Sequence, residues 1–169
     1  MRIGIDASSG FSQKNNISLI KAFIVVAIKP DKEIKLPLTL NKEKLTKNTY
    51  PNNLKGEFHE TLSEDKANTL YRSSEFAIYP SLVESFGLPL IEASNHNCKV
   101  IANNLSYVHE IIKPSLTFDP YSIENISRAI LKAIDKRDLP ETKVLVENKS
   151  VSKRDDLIDQ EKYIRNLRF

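Results

Sequence analysis

Phe76-Ala77-Ile78-Tyr79-Pro80-Ser81-Leu82-Val83-Glu84-Ser85-Phe86-Gly87-Leu88-Pro89-Leu90-Ile91-Glu92-Ala93 is the stretch that decides the fold. Phe76 to Tyr79 is a short apolar run and reads as a buried strand. Phe86-Gly87-Leu88-Pro89 reads as a turn that opens a helix. Gly87 lets the backbone turn tightly and lets a ligand approach it closely. Pro89 suits the first turn of a helix, where its missing N–H costs nothing. Strand, glycine turn and helix together are how α/β proteins build anion sites, because a helix N-terminus offers unpaired N–H groups and a partial positive charge.

Glu84 and Glu92 sit eight positions apart across this turn. Leu88 and Glu92 lie four apart, so both are expected on one side of the helix. Glu84 belongs to the loop before it. A carboxylate accepts two hydrogen bonds at fixed spacing, which suits the paired hydroxyls of a sugar or a ribose. A phosphate at the helix start with a sugar on either side describes a nucleotide sugar.

Working outward, strands alternate with helices. The spacing predicts strands over 1–6, 34–40, 54–57, 76–79, 100–102 and 116–118, and helices over 17–27, 64–72, 87–95, 107–112 and 123–134. Ser63 is expected to cap the second helix. Pro37 removes a ladder donor, so its strand is expected to be bulged or at a sheet edge. Residues 41–53 are polar and Lys-rich. The fold class expected is α/β, a Rossmann-like doubly wound parallel sheet, with ligands beyond the carboxyl ends of the strands. The domain is expected to occupy 1–135. A charged tail over 136–169 follows, helical over about 153–167.

Composition narrows the function. A length of 169 residues gives one good core. A net charge of +3 is too small to argue for nucleic acid. A pI near 8.9 mildly favours anionic ligands or an anionic membrane surface. Cys98 stands alone, so there is no disulfide framework, and a reducing, cytoplasmic setting is expected. His59, His96 and His109 show no metal spacing with Cys98 or with acidic neighbours. No apolar run is long enough to cross a bilayer; the longest is Phe23 to Ile28. Tyr79 and Tyr107 read as packing residues.

At Glu84, Phe86-Gly87-Leu88-Pro89 and Glu92 the chain resembles the C-terminal, donor-binding half of the retaining GT-B glycosyltransferases of family 4. The resemblance runs in order over about residues 9–135. It includes Lys14-Asn15-Asn16 with Leu19-Ile20-Lys21-Ala22-Phe23, Leu54-Lys55-Gly56, Leu70 to Glu75, Lys99-Val100-Ile101-Ala102 and Tyr107 to Ile112. It implies that Glu84 contacts the donor sugar and Glu92 the ribose. It implies that the backbone around Ser85, Phe86, Gly87 and Leu88 meets the sugar and distal phosphate, and that Lys14 neutralises the diphosphate. Glu84 and Lys14 are thus the expected catalytic residues. No metal or other cofactor is implied, since cationic side chains and the helix dipole take its place.

The partners expected are a nucleotide sugar and an acceptor-domain protein, with peripheral association at the inner face of the membrane. Three departures mark the chain. Ser9, five residues before Lys14, stands where many members carry Arg. Asn97-Cys98-Lys99-Val100 replaces a Cys-Gly-Lys-Pro-Val segment, and Thr39 to Glu43 lacks the usual glycines. Two functional readings stay open at this stage. One is an enzyme half that completes its site with an acceptor-binding domain. The other is a non-catalytic nucleotide-sugar-binding module or a truncated remnant. Residues 1–6 fit the first strand of either half of such an enzyme.

Overall fold

A computed structural model describes residues 3–5, 15–27, 34–38, 54–58, 62–84, 86–135 and 138–146. The elements are β1 (Ile3–Ile5), α1 (Asn16–Ala27), β2 (Ile34–Leu38), β3 (Leu54–Phe58), α2 (Glu64–Ser73), β4 (Phe76–Tyr79) and α3 (Leu88–Asn95). There follow β5 (Lys99–Asn103), α4 (Ser106–Ile111), β6 (Ile112–Lys113), β7 (Leu116–Phe118), α5 (Ile123–Asp135) and β8 (Lys143–Val144).

Six strands form one parallel sheet in the order β3-β2-β1-β4-β5-β7. The order reverses between β1 and β4, which pair through Ile3↔Phe76, Gly4↔Ala77 and Ile5↔Ile78. This is the Rossmann-like, doubly wound architecture expected from the alternation of elements. Its reversal point opens the crevice in which such sheets bind ligands.

Helices cover both faces because the strands alternate. Phe76 and Ile78 of β4 and Ile101 of β5 join one core, with α1 and α5. Ala77 and Tyr79 of β4 and Val100 and Ala102 of β5 join the other, with α3 and α4. On α1 the buried residues Leu19, Ala22, Phe23, Val26 and Ala27 follow i, i+3, i+4, i+7, i+8. On α5 Ile126, Ala129, Ile130, Ala133 and Ile134 repeat that spacing. Each set makes one apolar stripe, which is why both segments are helical. The exposed side of α5 carries Glu124 and Arg128, paired at 3.0 Å.

Three expectations are corrected. β2 is neither bulged nor at an edge: it lies between β3 and β1 and pairs with β3 one-to-one from Ile34↔Leu54 to Leu38↔Phe58. Pro37 is tolerated because one missing N–H affects one side of a strand only. The pairing described on the β1 side is the single register Ile5↔Leu38. Ser63 occupies the N-cap position of α2 without a side-chain cap bond; its carbonyl instead accepts the Ala67 N–H at 2.9 Å. The expected helix over 107–112 ends one residue early, and Ile112–Lys113 pairs antiparallel with Lys143–Val144. The helix expected over 153–167 lies outside the described residues.

Candidate functional site

The site is built where β4 ends at the reversal of strand order. Tyr79, the last residue of β4, is buried, and the chain then runs through Pro80 and Ser81 to Glu84. The Tyr79 hydroxyl donates to Glu84 Oε2, so the strand end holds the carboxylate that the loop delivers. Ser81 Oγ donates to the Val83 carbonyl at 2.9 Å and tightens the same turn.

Gly87 is the N-cap of α3 and has φ +59°, in the left-handed region. A Cβ there would approach Ile111 Cδ1 to 2.5 Å and Leu90 Cδ1 to 3.2 Å. The left-handed backbone favours glycine there, and a Cβ would also press on the free end of the Ile111 side chain of α4. The space a side chain would take is filled by the protein itself, a reason the sequence did not disclose. Pro89 sits in the first turn of α3, and no side chain caps that end. The Leu90 N–H is satisfied locally by the Gly87 carbonyl at 2.9 Å. The helix N-terminus carries the partial positive charge of its unpaired N–H groups.

Glu84 and Glu92 are both partly buried, and Phe86 and Leu88 are exposed around the turn. Val83 (68 % exposed) and Phe86 (61 %) leave apolar side chains open beside the turn. The structure therefore brings Glu84, Phe86, Gly87, Leu88 and Glu92 to one strand–turn–helix unit. Lys14 and Ser85 lie outside the described residues. Asn15, next to Lys14, has φ +52° and donates from Nδ2 to the Pro120 carbonyl at 2.6 Å. This ties the entry to α1 to the β7–α5 connection, on the same edge of the sheet.

A polar cluster behind the loop escaped the sequence reading. Asn103 ends β5 and donates from Nδ2 both to the Ser81 carbonyl and to Tyr107 Oη, the latter at 2.9 Å. Its Oδ1 accepts the Leu105 N–H at 3.1 Å. The Tyr107 hydroxyl donates in turn to the Ser81 carbonyl. Burial pushes the Tyr107 hydroxyl up to about 12; the bond from Asn103 opposes this, the Glu84 carboxylate adds to it, and the Ser81 contact opposes it. Tyr79 and Tyr107 are thus more than packing residues. The signal was available in outline, since an asparagine closing an apolar strand must find buried partners. Which partners it finds depends on contacts across more than twenty residues of chain.

The histidines serve locally. His96 bonds through Nε2 with Asn68 Oδ1 at 2.8 Å and accepts from Arg72 Nε at 3.4 Å. His109 bonds with Asn104 Oδ1 at 2.7 Å, and His59 lies outside the described residues. Cys98 is buried, and desolvation raises its thiol to about 12. Among the described residues no group of three or more His, Cys, Asp or Glu side chains is placed to hold a metal ion. No helix among them is long and apolar enough to cross a membrane.

The chain is 33 % identical over 66 residues to the O-antigen chain mannosyltransferase B of Escherichia coli, a match covering 38 % of this chain and 17 % of that protein. It is 37 % identical over 65 residues to a probable sucrose-phosphate synthase 3 of Arabidopsis thaliana, covering 37 % of this chain and 6 % of that one. The chain thus spans less than a fifth of the length of these curated relatives.

Among solved structures, the catalytic domain of the cholesterol-α-glucosyltransferase from Helicobacter pylori superposes with a TM-score of 0.63 at 21 % identity, over 82 % of this chain and 90 % of that one. The C-terminal domain of a glycosyl transferase group 1 family protein from Francisella tularensis superposes at 0.62 and 22 % identity, over 80 % of this chain and 75 % of that one. These likenesses establish the fold as the Rossmann-like half of a GT-B fold. A family model described as "Glycosyl transferases group 1" matches residues 10–150, so the chain that carries this strand–turn–helix unit belongs to that family.

Proposed function

We propose that this chain is the donor-binding domain of a retaining, family 4-type glycosyltransferase and that it binds a nucleotide diphosphate sugar at the β1/β4 crevice. The observation that carries the reading is the α3 N-terminus, which opens at left-handed Gly87 without a capping side chain, beside the partly buried Glu84. Such an end is a ready anion site, and its dipole favours a diphosphate. Family membership and the glycosyl-transferring relatives support the same reading.

In this proposal the nucleotide diphosphate gains negative charge as the glycosidic C–O bond breaks. Lys14 and the N–H groups at Phe86, Gly87 and Leu88 stabilise that charge. The resemblance assigns Ser85 to the same donor contacts. Glu84 holds the sugar hydroxyls and orients the anomeric carbon. Glu92 anchors the ribose. The acceptor hydroxyl arrives from an acceptor-binding domain that completes the site. Polysaccharide assembly at the inner face of the membrane is the proposed setting, in line with the O-antigen relative.

Calorimetric titration of the chain with UDP, GDP, ADP, UDP-glucose, GDP-mannose and ADP-glucose tests the reading, with Glu92→Ala and Lys14→Ala as controls. Saturable binding of one base, weakened about tenfold or more in both variants, is expected, equivalent to about 1.4 kcal/mol. No saturation up to about millimolar ligand, at a free energy near −4 kcal/mol, with the protein folded, would sink it.

A further inference from the structure

We propose that Asn103 and Tyr107 are positioning residues for Glu84, acting through the carbonyl of Ser81. The inference rests on the donor-site reading of Glu84 given above.

The loop from Pro80 to Glu84 belongs to no helix or strand, so its shape depends on point contacts. Ser81 is 0 % exposed, and its carbonyl accepts from two different side chains, Asn103 Nδ2 and Tyr107 Oη. Those donors come from the end of β5 and the first turn of α4. Asn103 is also 0 % exposed, and both ends of its amide are engaged, with Ser81, Tyr107 and Leu105. A triangle of three mutually bonded groups has no slack, because a shift of any one breaks two bonds.

From Ser81 the constraint passes forward. Ser81 Oγ holds the Val83 carbonyl, the residue directly before Glu84. On the other side Tyr79 holds the Glu84 carboxylate itself. Glu84 is thereby fixed from the strand it leaves and, through Ser81, from the neighbouring strand and helix. A carboxylate that selects sugar hydroxyls by direction gains from such fixing, since a misdirected acceptor loses most of a hydrogen bond. The diphosphate contacts at the α3 N-terminus do not pass through Ser81. The cluster therefore acts on the sugar end of the ligand and not on the nucleotide end.

The test measures the affinity of the full 169-residue chain for UDP, GDP and ADP and for UDP-glucose, GDP-mannose and ADP-glucose, in wild type, Tyr107→Phe and Asn103→Ser. In both variants the sugar nucleotide is expected to bind about five- to tenfold more weakly, the loss of roughly one hydrogen bond. The matching nucleoside diphosphate is expected to change by less than about twofold. In a Glu84→Gln background, Tyr107→Phe is expected to add less than about a further twofold, because the coupled partner is already altered.

Thermal unfolding and hydrogen exchange over residues 81–86 accompany each titration, with faster exchange expected in both variants. Asn103→Ser keeps the Tyr107 ring, so the assignment stays testable even if one variant folds poorly. Equal weakening of both ligand classes, or no weakening of the sugar nucleotide, overturns the assignment alone. A wild-type chain that binds none of the six ligands overturns the donor-site reading and this assignment with it.

Discussion

The two faces of the sheet are built differently. The face under α1 and α5 is packed with large apolar side chains, among them Leu19, Phe23, Phe76, Ile78, Ile101, Phe118, Ile126 and Ile130. The face under α3 and α4 sets Ala77, Ala93, Ala102, Val100 and Val108 beside Leu90 and Ile112, with Tyr79 and Cys98 among them. Polar side chains thread the second side as well. Thr142 Oγ1 accepts the Val100 N–H at 2.7 Å and bonds with Ser115 Oγ at 2.9 Å. The first face provides burial in bulk, which is tolerant of chemistry and sensitive to volume. The second provides direction, because small side chains let α3 approach the sheet and hydrogen bonds fix its loops.

If that division holds, the largest stability loss belongs to the first face. Phe23→Ala, at a side chain 0 % exposed, is expected to cost about 3–5 kcal/mol in urea unfolding. Nucleotide affinity of the folded fraction should stay unchanged. A loss comparable to that of a surface substitution would remove the basis of the comparison.

On the second face Gly87→Ala is expected to cost about 1–2 kcal/mol, from the left-handed backbone alone. Ile111 Cδ1 must also yield, although it is the free end of a flexible chain. Here nucleotide binding should weaken together with stability, the reverse of the Phe23 result. Calorimetry beside the unfolding curve distinguishes the two patterns.

A pH series sharpens the contrast further, because Cys98 and Tyr107, both clearly raised, lie on the second side. Cys98 moves from 9.0 to about 12 and Tyr107 from 10.0 to about 12, each chiefly by burial. In both the neutral form is favoured in the folded state, so their contribution is complete below the unfolded values. It is lost as pH rises from about 9 toward 12. Between pH 8 and pH 10 the thiol alone is expected to lower stability by about 1 kcal/mol. Cys98→Ala should flatten that slope, and the native thiol should resist modification at pH 8.

The smallest effect is expected at Asn16, the first residue of α1. It is 1 % exposed, and neither amide atom has a hydrogen-bond partner among the described residues. Asn16→Leu is expected to raise stability by up to about 1 kcal/mol, since an apolar group of similar shape removes the unsatisfied pair. A drop in the unfolding midpoint would show that the amide has a use the apolar face requires.

Legibility in the sequence followed the same division. The first face announces itself, because Leu19 to Ala27 and Ile126 to Ile134 follow helical spacing without interruption. The central strand and the helix at Gly87 were readable from one apolar run and one glycine–proline turn. The place of β2 inside the sheet was not, because Pro37 obeys a local rule that strand order overrides. The β6–β8 pairing was missed because two-residue strands carry no period. At the site, Glu84, Phe86, Gly87, Leu88 and Glu92 were legible as a contiguous motif. Asn103, Tyr107 and Ser81 were not, since their partnership spans 22 to 26 positions and depends on the finished fold.

The short β6–β8 ladder also bears on how the chain is made. The Ile111 carbonyl, at the end of α4, accepts from the N–H groups of Leu145 at 2.9 Å and Val146 at 3.4 Å. Ile111 is also the side chain that occupies the space beside Gly87. During synthesis the α1–α5 face has all its helical residues once Asp135 has left the ribosome. The opposite face must wait for Val146. The partners that hold the end of α4 beside Gly87 are therefore synthesised after all five described helices.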